Sequence, residues 1–248
     1  MKIPQINTVI EFELTENVLL IIGGALKTYQ NKNNAKVQIL NVPQMVPPDA
    51  PRIVISTPNA LIRISLTRFE INSKIPNHIY SNFESSLIFT KAIVKSVLDT
   101  LMVSELKYSW LGLVCILEFP ISNSGESALK VSEKFFDKLV NIKRESRDLS
   151  SFEIKFGYKE NDLYKNFSIS GYETRDINIE LLHRPGIQVI DFEKLGKITE
   201  VGSRIILDVN NRPALKSPVP IDDLELVYKE ITLNYNNLLE DLNIKDLL

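Results

Sequence analysis

Hydrophobic and polar residues alternate through most of the segment from Pro51 to Pro76, and this alternation is the strongest structural signal in the chain. Successive strand side chains point to opposite faces, so Ile53 and Ile55 share one side of a strand while Arg52 and Val54 share the other. Thr57-Pro58-Asn59-Ala60 is turn chemistry, with proline presetting φ and asparagine able to bond its own backbone. A second strand puts Ile62, Ile64 and Leu66 on one face and Arg63 and Ser65 on the other. Phe69 and Ile71 then reverse the apolar parity, which requires a tight turn or bulge at Thr67-Arg68. Arg52, Arg63, Arg68 and Glu70 fall on the outer face, the first candidate binding surface.

The same periodicities divide the rest of the chain. Ile6, Thr8, Ile10, Phe12 and Leu14 alternate with Glu11 and Glu13 as a half-buried strand. Thr15 and Glu16 suit the start of a helix carrying Leu19, Ile22 and Leu26, in which Gly23-Gly24 predicts close packing or an early break. Lys36 to Val42 reads as a short strand, and the prolines from Pro43 to Pro51 impose a stiff loop whose Met45 and Val46 are expected to pack back. A helix starting at Ser81 or Asn82 carries Leu87, Val94, Val97, Leu98 and Leu101. Trp110 to Phe119 is almost continuously apolar, the pattern of a central strand covered on both faces. Ser127 to Val140 is helical, with Val131, Phe135, Phe136 and Leu139 inward. Strands follow at 152–158, 163–172, 177–181, 187–191 and 204–209, with a type II turn at Arg184-Pro185-Gly186. A long helix begins at Asp222 and Asp223, and its excess of leucines, Leu238, Leu239, Leu242, Leu247 and Leu248, makes it a candidate for self-association.

This order predicts an α+β protein of two similar halves, 1–106 and 107–248, each strand, helix, antiparallel strands, helix, with sheets packed on helices. Two short matches share one offset. Ile10-Glu11-Phe12-Glu13 resembles Leu117-Glu118-Phe119-Pro120, and Thr67-Arg68 resembles Thr174-Arg175, each displaced by 107 positions (117 − 10 and 174 − 67). On this reading Arg175 repeats the role of Arg68 in the second half.

The Pro-led strand ending in Ile10-Glu11-Phe12-Glu13, the Pro51 to Asn72 meander, the Trp110 to Phe119 strand and Ile206-Leu207-Asp208-Val209 before a terminal helix resemble an uncharacterised, sporadically distributed bacterial family of about this length. That resemblance implies a bacterial cytosolic protein of the kind carried on mobile elements or in phage-defence and toxin-related loci. It supplies no catalytic residue.

Composition narrows the classes further. The 248 residues are 44% hydrophobic and 24% charged, enough for a sizeable core. With 29 basic and 31 acidic residues the net charge is −2, so no global field favours nucleic acid or anionic lipid. The amino terminus lacks the apolar core of a signal peptide and no run reaches membrane-span length. The single cysteine, Cys115, lies in an apolar strand, consistent with a reduced cytoplasmic setting and a buried, inert thiol.

Few residues suggest chemistry. His78 and His183 have no cysteine or carboxylate at zinc-ligand spacing, and neither a nucleophile elbow nor a glycine fingerprint for phosphates occurs, so no metal or cofactor is expected. Glu153-Ile154-Lys155, with Asp148 or Asp137 upstream, resembles the carboxylate-x-lysine element of metal-dependent nucleases, although the acid would belong on a neighbouring strand. Asp191 and Asp208 follow apolar strand residues and more often bond loop backbone than metal. Arg52, Arg63, Arg68 and Arg175 could track phosphates, but without exposed aromatics. The expected function is therefore a non-enzymatic interaction subunit with a protein partner; the alternative is nucleic-acid binding or cleavage.

Overall fold

The computed structural model describes residues 1–43, 45–101, 106–121, 127–139, 153–177, 196–212 and 220–241. In chain order its elements are β1 (Lys2–Phe12), α1 (Val18–Asn33), β2 (Lys36–Ile39), β3 (Ile53–Ser56), β4 (Ala60–Ile64), β5 (Arg68–Lys74), α2 (Phe83–Leu101), β6 (Tyr108–Ile121), α3 (Ala128–Leu139), β7 (Glu153–Glu160), β8 (Leu163–Ile177), β9 (Gly196–Asn210) and α4 (Pro220–Asp241). All nine strands join one antiparallel sheet in the order β2-β3-β4-β5-β1-β6-β9-β8-β7.

Opposed residues in an antiparallel pair share a face, so one face can be followed across the sheet. Thr8 opposes Ile71 and Leu113, Ile71 opposes Ile62, Ile62 opposes Ile55, and Leu113 opposes Val209. All of these are buried. The four helices among the described residues cover this face. Ala128 and Ser132 of α3 lie over Gly171, where a Cβ would come within 2.4 Å of the Ala128 carbonyl oxygen. Glu230 of α4 reaches Lys165 of β8, α2 packs on β1 and β5, and α1 packs on α2. The result is two layers with one large apolar core between them.

Local chemistry sets the connections. Ser65, itself buried, accepts the Thr67 and Arg68 N–H groups on its hydroxyl at 3.1 and 3.0 Å, closing the expected parity-changing turn between β4 and β5. Asn82 caps α2 by accepting the Ser85 N–H at 2.8 Å. Asn161 and Asp162 both take positive φ, 48° and 62°, giving the β7–β8 hairpin a two-residue turn that matches strand twist.

Two similar halves do not form. The sheet runs without a break through β1 and β6, which lie on either side of the expected boundary and pair with each other from Lys2–Glu118 to Phe12–Tyr108. Outside β1, the amino-terminal strands are four to seven residues long, whereas β8 and β9 have 15 each. The shared offset misleads because Thr67 sits in a turn while Thr174 lies inside β8, opposite Glu200 and beside a bulge at Arg175. A Thr-Arg pair fits both settings, so the match carries no structural meaning.

Smaller corrections have equally local causes. The α1 cap position is Asn17, which makes no side-chain cap bond, because the helix starts at Val18, two residues later than Thr15 would allow; the Thr15 hydroxyl donates to the Glu13 carbonyl instead. Gly23 and Gly24 neither break α1 nor pack closely: a Cβ at either would meet nothing within 4 Å. Met45 is 93% exposed instead of packing back. The region 163–177 is one strand, and 178–195, including His183, the Arg184-Pro185-Gly186 turn and Asp191, lies outside the described residues, as do Asp148 and the leucines after Asp241. No helix among the described residues is long and apolar enough to cross a membrane.

Candidate functional site

β6 is central in the sheet, and among the described residues helices cover only one of its faces. Its odd-numbered residues Leu111, Leu113, Cys115 and Leu117 are fully buried under the helices. Val114 and Ile116 point the other way and are only half-buried, since no helix among the described residues lies on that face. Ile116 stands directly opposite Ile206 of β9, and Val114 is diagonal to Val9 of β1, which opposes Gly112. The Trp110 ring lies over Gly112, one of its carbons 3.0 Å from where a Cβ would sit. Trp110, Val9, Val114, Ile116 and Ile206 thus form an apolar stripe across the middle of this face, which also carries Val54 and Leu61 toward one edge and Tyr164 toward the other.

Charged residues border the stripe, and they are paired. The Trp110 indole N–H donates to Glu11, and the Arg212 guanidinium stacks over the ring at 5.5 Å. Arg63 faces Glu70 at 3.6 Å, and Arg68 faces Asp49 at 3.5 Å. On the far side, Arg204 donates Nε and Nη2 to one oxygen of Glu118 at 3.1 and 2.6 Å and lies 5.2 Å above the Tyr172 ring. Tyr172 donates its hydroxyl to Glu200 at 2.8 Å, and Glu200 also pairs with Lys2. Burial, then the neighbouring Glu200 carboxylate, pushes the Tyr172 hydroxyl well above its ordinary value. Burial works against ionisation of Glu200, but the bonds from Lys2 and Tyr172 outweigh it and hold that carboxyl below its ordinary value.

The four arginines singled out from sequence are not brought together. Arg63 and Arg68 lie on the open face, but Arg52 turns into the proline-rich loop, donating to the Val46 carbonyl at 3.3 Å. There it lines a cleft of about 770 Å³ with Leu14, Val18, Leu40 and Met45. Arg175 lies on β8, four strands from β5, with Nε on Glu173 at 2.7 Å; that carboxylate also takes the Ala128 N–H, which puts the pair at the helix side of the sheet.

The nuclease-like residues do not converge either. Glu153 and Lys155 share the open face of β7, 2.9 Å apart, with Ser168 donating to Glu153 at 2.7 Å. That bond, then Lys155, lowers the Glu153 carboxyl below its ordinary value. Asp137 belongs to α3, across the sheet from them. Asp208 is held by the Asn166 and Asn210 amides at 3.1 and 3.2 Å. His78 is exposed in the turn before α2, and no group of three metal-ligating side chains occurs among the described residues. Burial raises the Cys115 thiol far above its ordinary value, leaving it an inert part of the core.

Sequence reasoning missed Val114, Ile116 and Ile206 as surface residues because it assigned β6 to a doubly covered strand. The signal was the lack of alternation itself: apolar residues of both parities put apolar groups on both faces of the strand. Comparison with known families finds no family model that matches this chain, and no curated protein matches it.

Proposed function

We propose that this protein is an interaction subunit that docks a protein partner on the open face of its sheet. The observation that carries this reading is the apolar stripe of Trp110, Val9, Val114, Ile116 and Ile206, uncovered by any described helix and bordered by paired charges. A half-buried aromatic and aliphatic centre with a polar rim is the anatomy of a recognition surface. Pairing of Arg63, Arg68 and Arg204 with carboxylates supports a protein over a polyanion as the ligand, since it removes the unopposed positive stripe that phosphate tracking uses. The bacterial resemblance supports a cytosolic setting for this activity, within a mobile-element or phage-defence locus.

The test is affinity purification of the full chain from its native host beside Ile116→Asp and Ile206→Asp, each first shown folded by circular dichroism. A stoichiometric protein recovered with the wild type and lost with both variants is expected. Equal recovery with the variants, or no partner at all, defeats the reading. Salt-sensitive oligonucleotide binding weakened by Arg63→Glu and Arg68→Glu would favour the nucleic-acid alternative instead.

A further inference from the structure

β7 is one edge of the sheet, with no strand among the described residues pairing to its outer side. Every residue from Glu153 to Glu160 except Ile154 is exposed. On the helix side Phe156 and Tyr158 are 44% and 45% exposed, and both stack on Phe167, with ring centroids 4.9 and 6.0 Å away. An eight-residue edge strand with two ordered but exposed aromatics is an open pairing template.

The sequence of this strand, Glu-Ile-Lys-Phe-Gly-Tyr-Lys-Glu, selects the partner. Placed antiparallel to itself with Phe156 on the two-fold axis, it sets Glu153 against Lys159 twice and Ile154 against Tyr158 twice. The two Phe156 side chains then meet at the axis. Oppositely charged cross-strand pairs stabilise and like-charged pairs destabilise, so register can be judged residue by residue. Shifting by two residues sets Lys155 against itself in one direction and against Lys159 in the other. Shifting by one residue puts the helix side of one copy beside the open side of the other. Of these registers only the Phe156-centred one joins charge complementarity on one face to continuous apolar contact on the other; a further shift, centred on Ile154, also opposes Glu153 to Lys155 but pairs only three residues of the strand.

We infer that the chain forms a symmetric homodimer by antiparallel pairing of β7 with β7 of a second copy, with Phe156 at the two-fold axis. Such an axis stands perpendicular to the sheet, so the two sheets continue into one and their open faces lie on the same side. The existing bonds of these lysines, Lys155–Glu153 and Lys159–Asp162, are exposed and cheap to exchange. This dimer is independent of whether the open face binds a partner.

Two measurements on the full chain test it. Sedimentation equilibrium is expected to show a monomer–dimer equilibrium at protein concentrations below about 200 µM. Glu153→Lys and Lys159→Glu should each raise the dissociation constant by roughly tenfold, and the double reversal should restore it to within about threefold of wild type. Disulfide trapping reads the register, because Cys115 is buried and leaves an introduced thiol as the reactive one. Phe156→Cys should cross-link rapidly, since opposed Cα atoms in antiparallel strands are about 4.5–5.5 Å apart. Ile154→Cys should not, because its two copies would be separated by four residues along the strands, roughly 13 Å. A monomer throughout that concentration range, equal cross-linking at both positions, or no recovery in the double reversal would overturn the inference.

Discussion

Lys165 of β8 and Glu230 of α4 meet at 2.7 Å beneath the helices, where the lysine side chain retains only 5% of its exposure. Glu160 accepts a second bond from the same ammonium at 2.6 Å. This pair ties the last helix to the outer part of the sheet, and it exists because the Lys165 position, opposite Val209, faces the core side. Removing Glu230 leaves a buried cation with one remaining carboxylate, so Glu230→Ala should cost about 2–3 kcal/mol in urea unfolding. Lys165→Met keeps the stem but leaves Glu230, 13% exposed, without its cation and should destabilise too, whereas Lys165→Met combined with Glu230→Met should be better tolerated than Glu230→Ala.

The same contact makes stability depend on alkaline pH. Burial opposes the charge on Lys165, but bonds to Glu160 and Glu230 prevail and raise its value above the ordinary 10.5. A group raised on folding stabilises fully below its unfolded value, and the contribution is lost as pH rises through the folded one. Melting temperature should therefore fall above about pH 10.5 in the wild type, with a smaller fall in Lys165→Met. On the acid side Glu200 is lowered from 4.5, so its contribution is complete above that value and is lost as pH falls through the folded one. Glu200→Gln should flatten that acid limb when unfolding is followed between about pH 5 and pH 2.

Gly23 and Gly24 offer a stabilising change. Both are helical, exposed and free of neighbours at the Cβ position. Alanine at either should raise the denaturant midpoint by the equivalent of about 0.5–1 kcal/mol. Gly171→Ala should do the reverse, because α3 occupies the space its methyl needs.

Truncations along β6 separate the two faces of the sheet. Leu113→Ala and Leu117→Ala empty space in the core and should cost about 2–5 kcal/mol each. Val114→Ala and Ile116→Ala remove half-exposed groups and should cost about 1 kcal/mol or less by equilibrium unfolding. Comparable losses at both sets of positions would mean that a second layer covers the open face.

Much of the fold was legible from residue spacing. The alternation in Ile6 to Phe12, the parity change at Thr67-Arg68 and the Asn82 cap are short-range effects, decided by side-chain direction and hydrogen bonds within a few residues. The candidate site was less legible. Arg52, Arg63, Arg68 and Arg175 look alike as sequence, yet Arg52 bonds the proline loop and Arg175 lies four strands away on the helix side. Each position follows from which loop or strand reaches it, and spacing carries no such information.

The strands of the Pro51 to Pro76 segment, the α2 stripe of Leu87, Val94, Val97, Leu98 and Leu101 and the burial of Cys115 followed from the chain alone, because they depend on the period with which apolar residues recur; Leu14 and Leu19, expected inside by the same reasoning, are exposed because β1 ends at Phe12 and Val18 takes the inward position of α1. Strand order depended on the folded molecule. The pairing of β1 with β6 joins residues about a hundred positions apart, and it turned two expected halves into one sheet. The same long-range pairing left Val114, Ile116 and Ile206 uncovered, because the one layer of described helices can lie on only one side of the sheet they pack against.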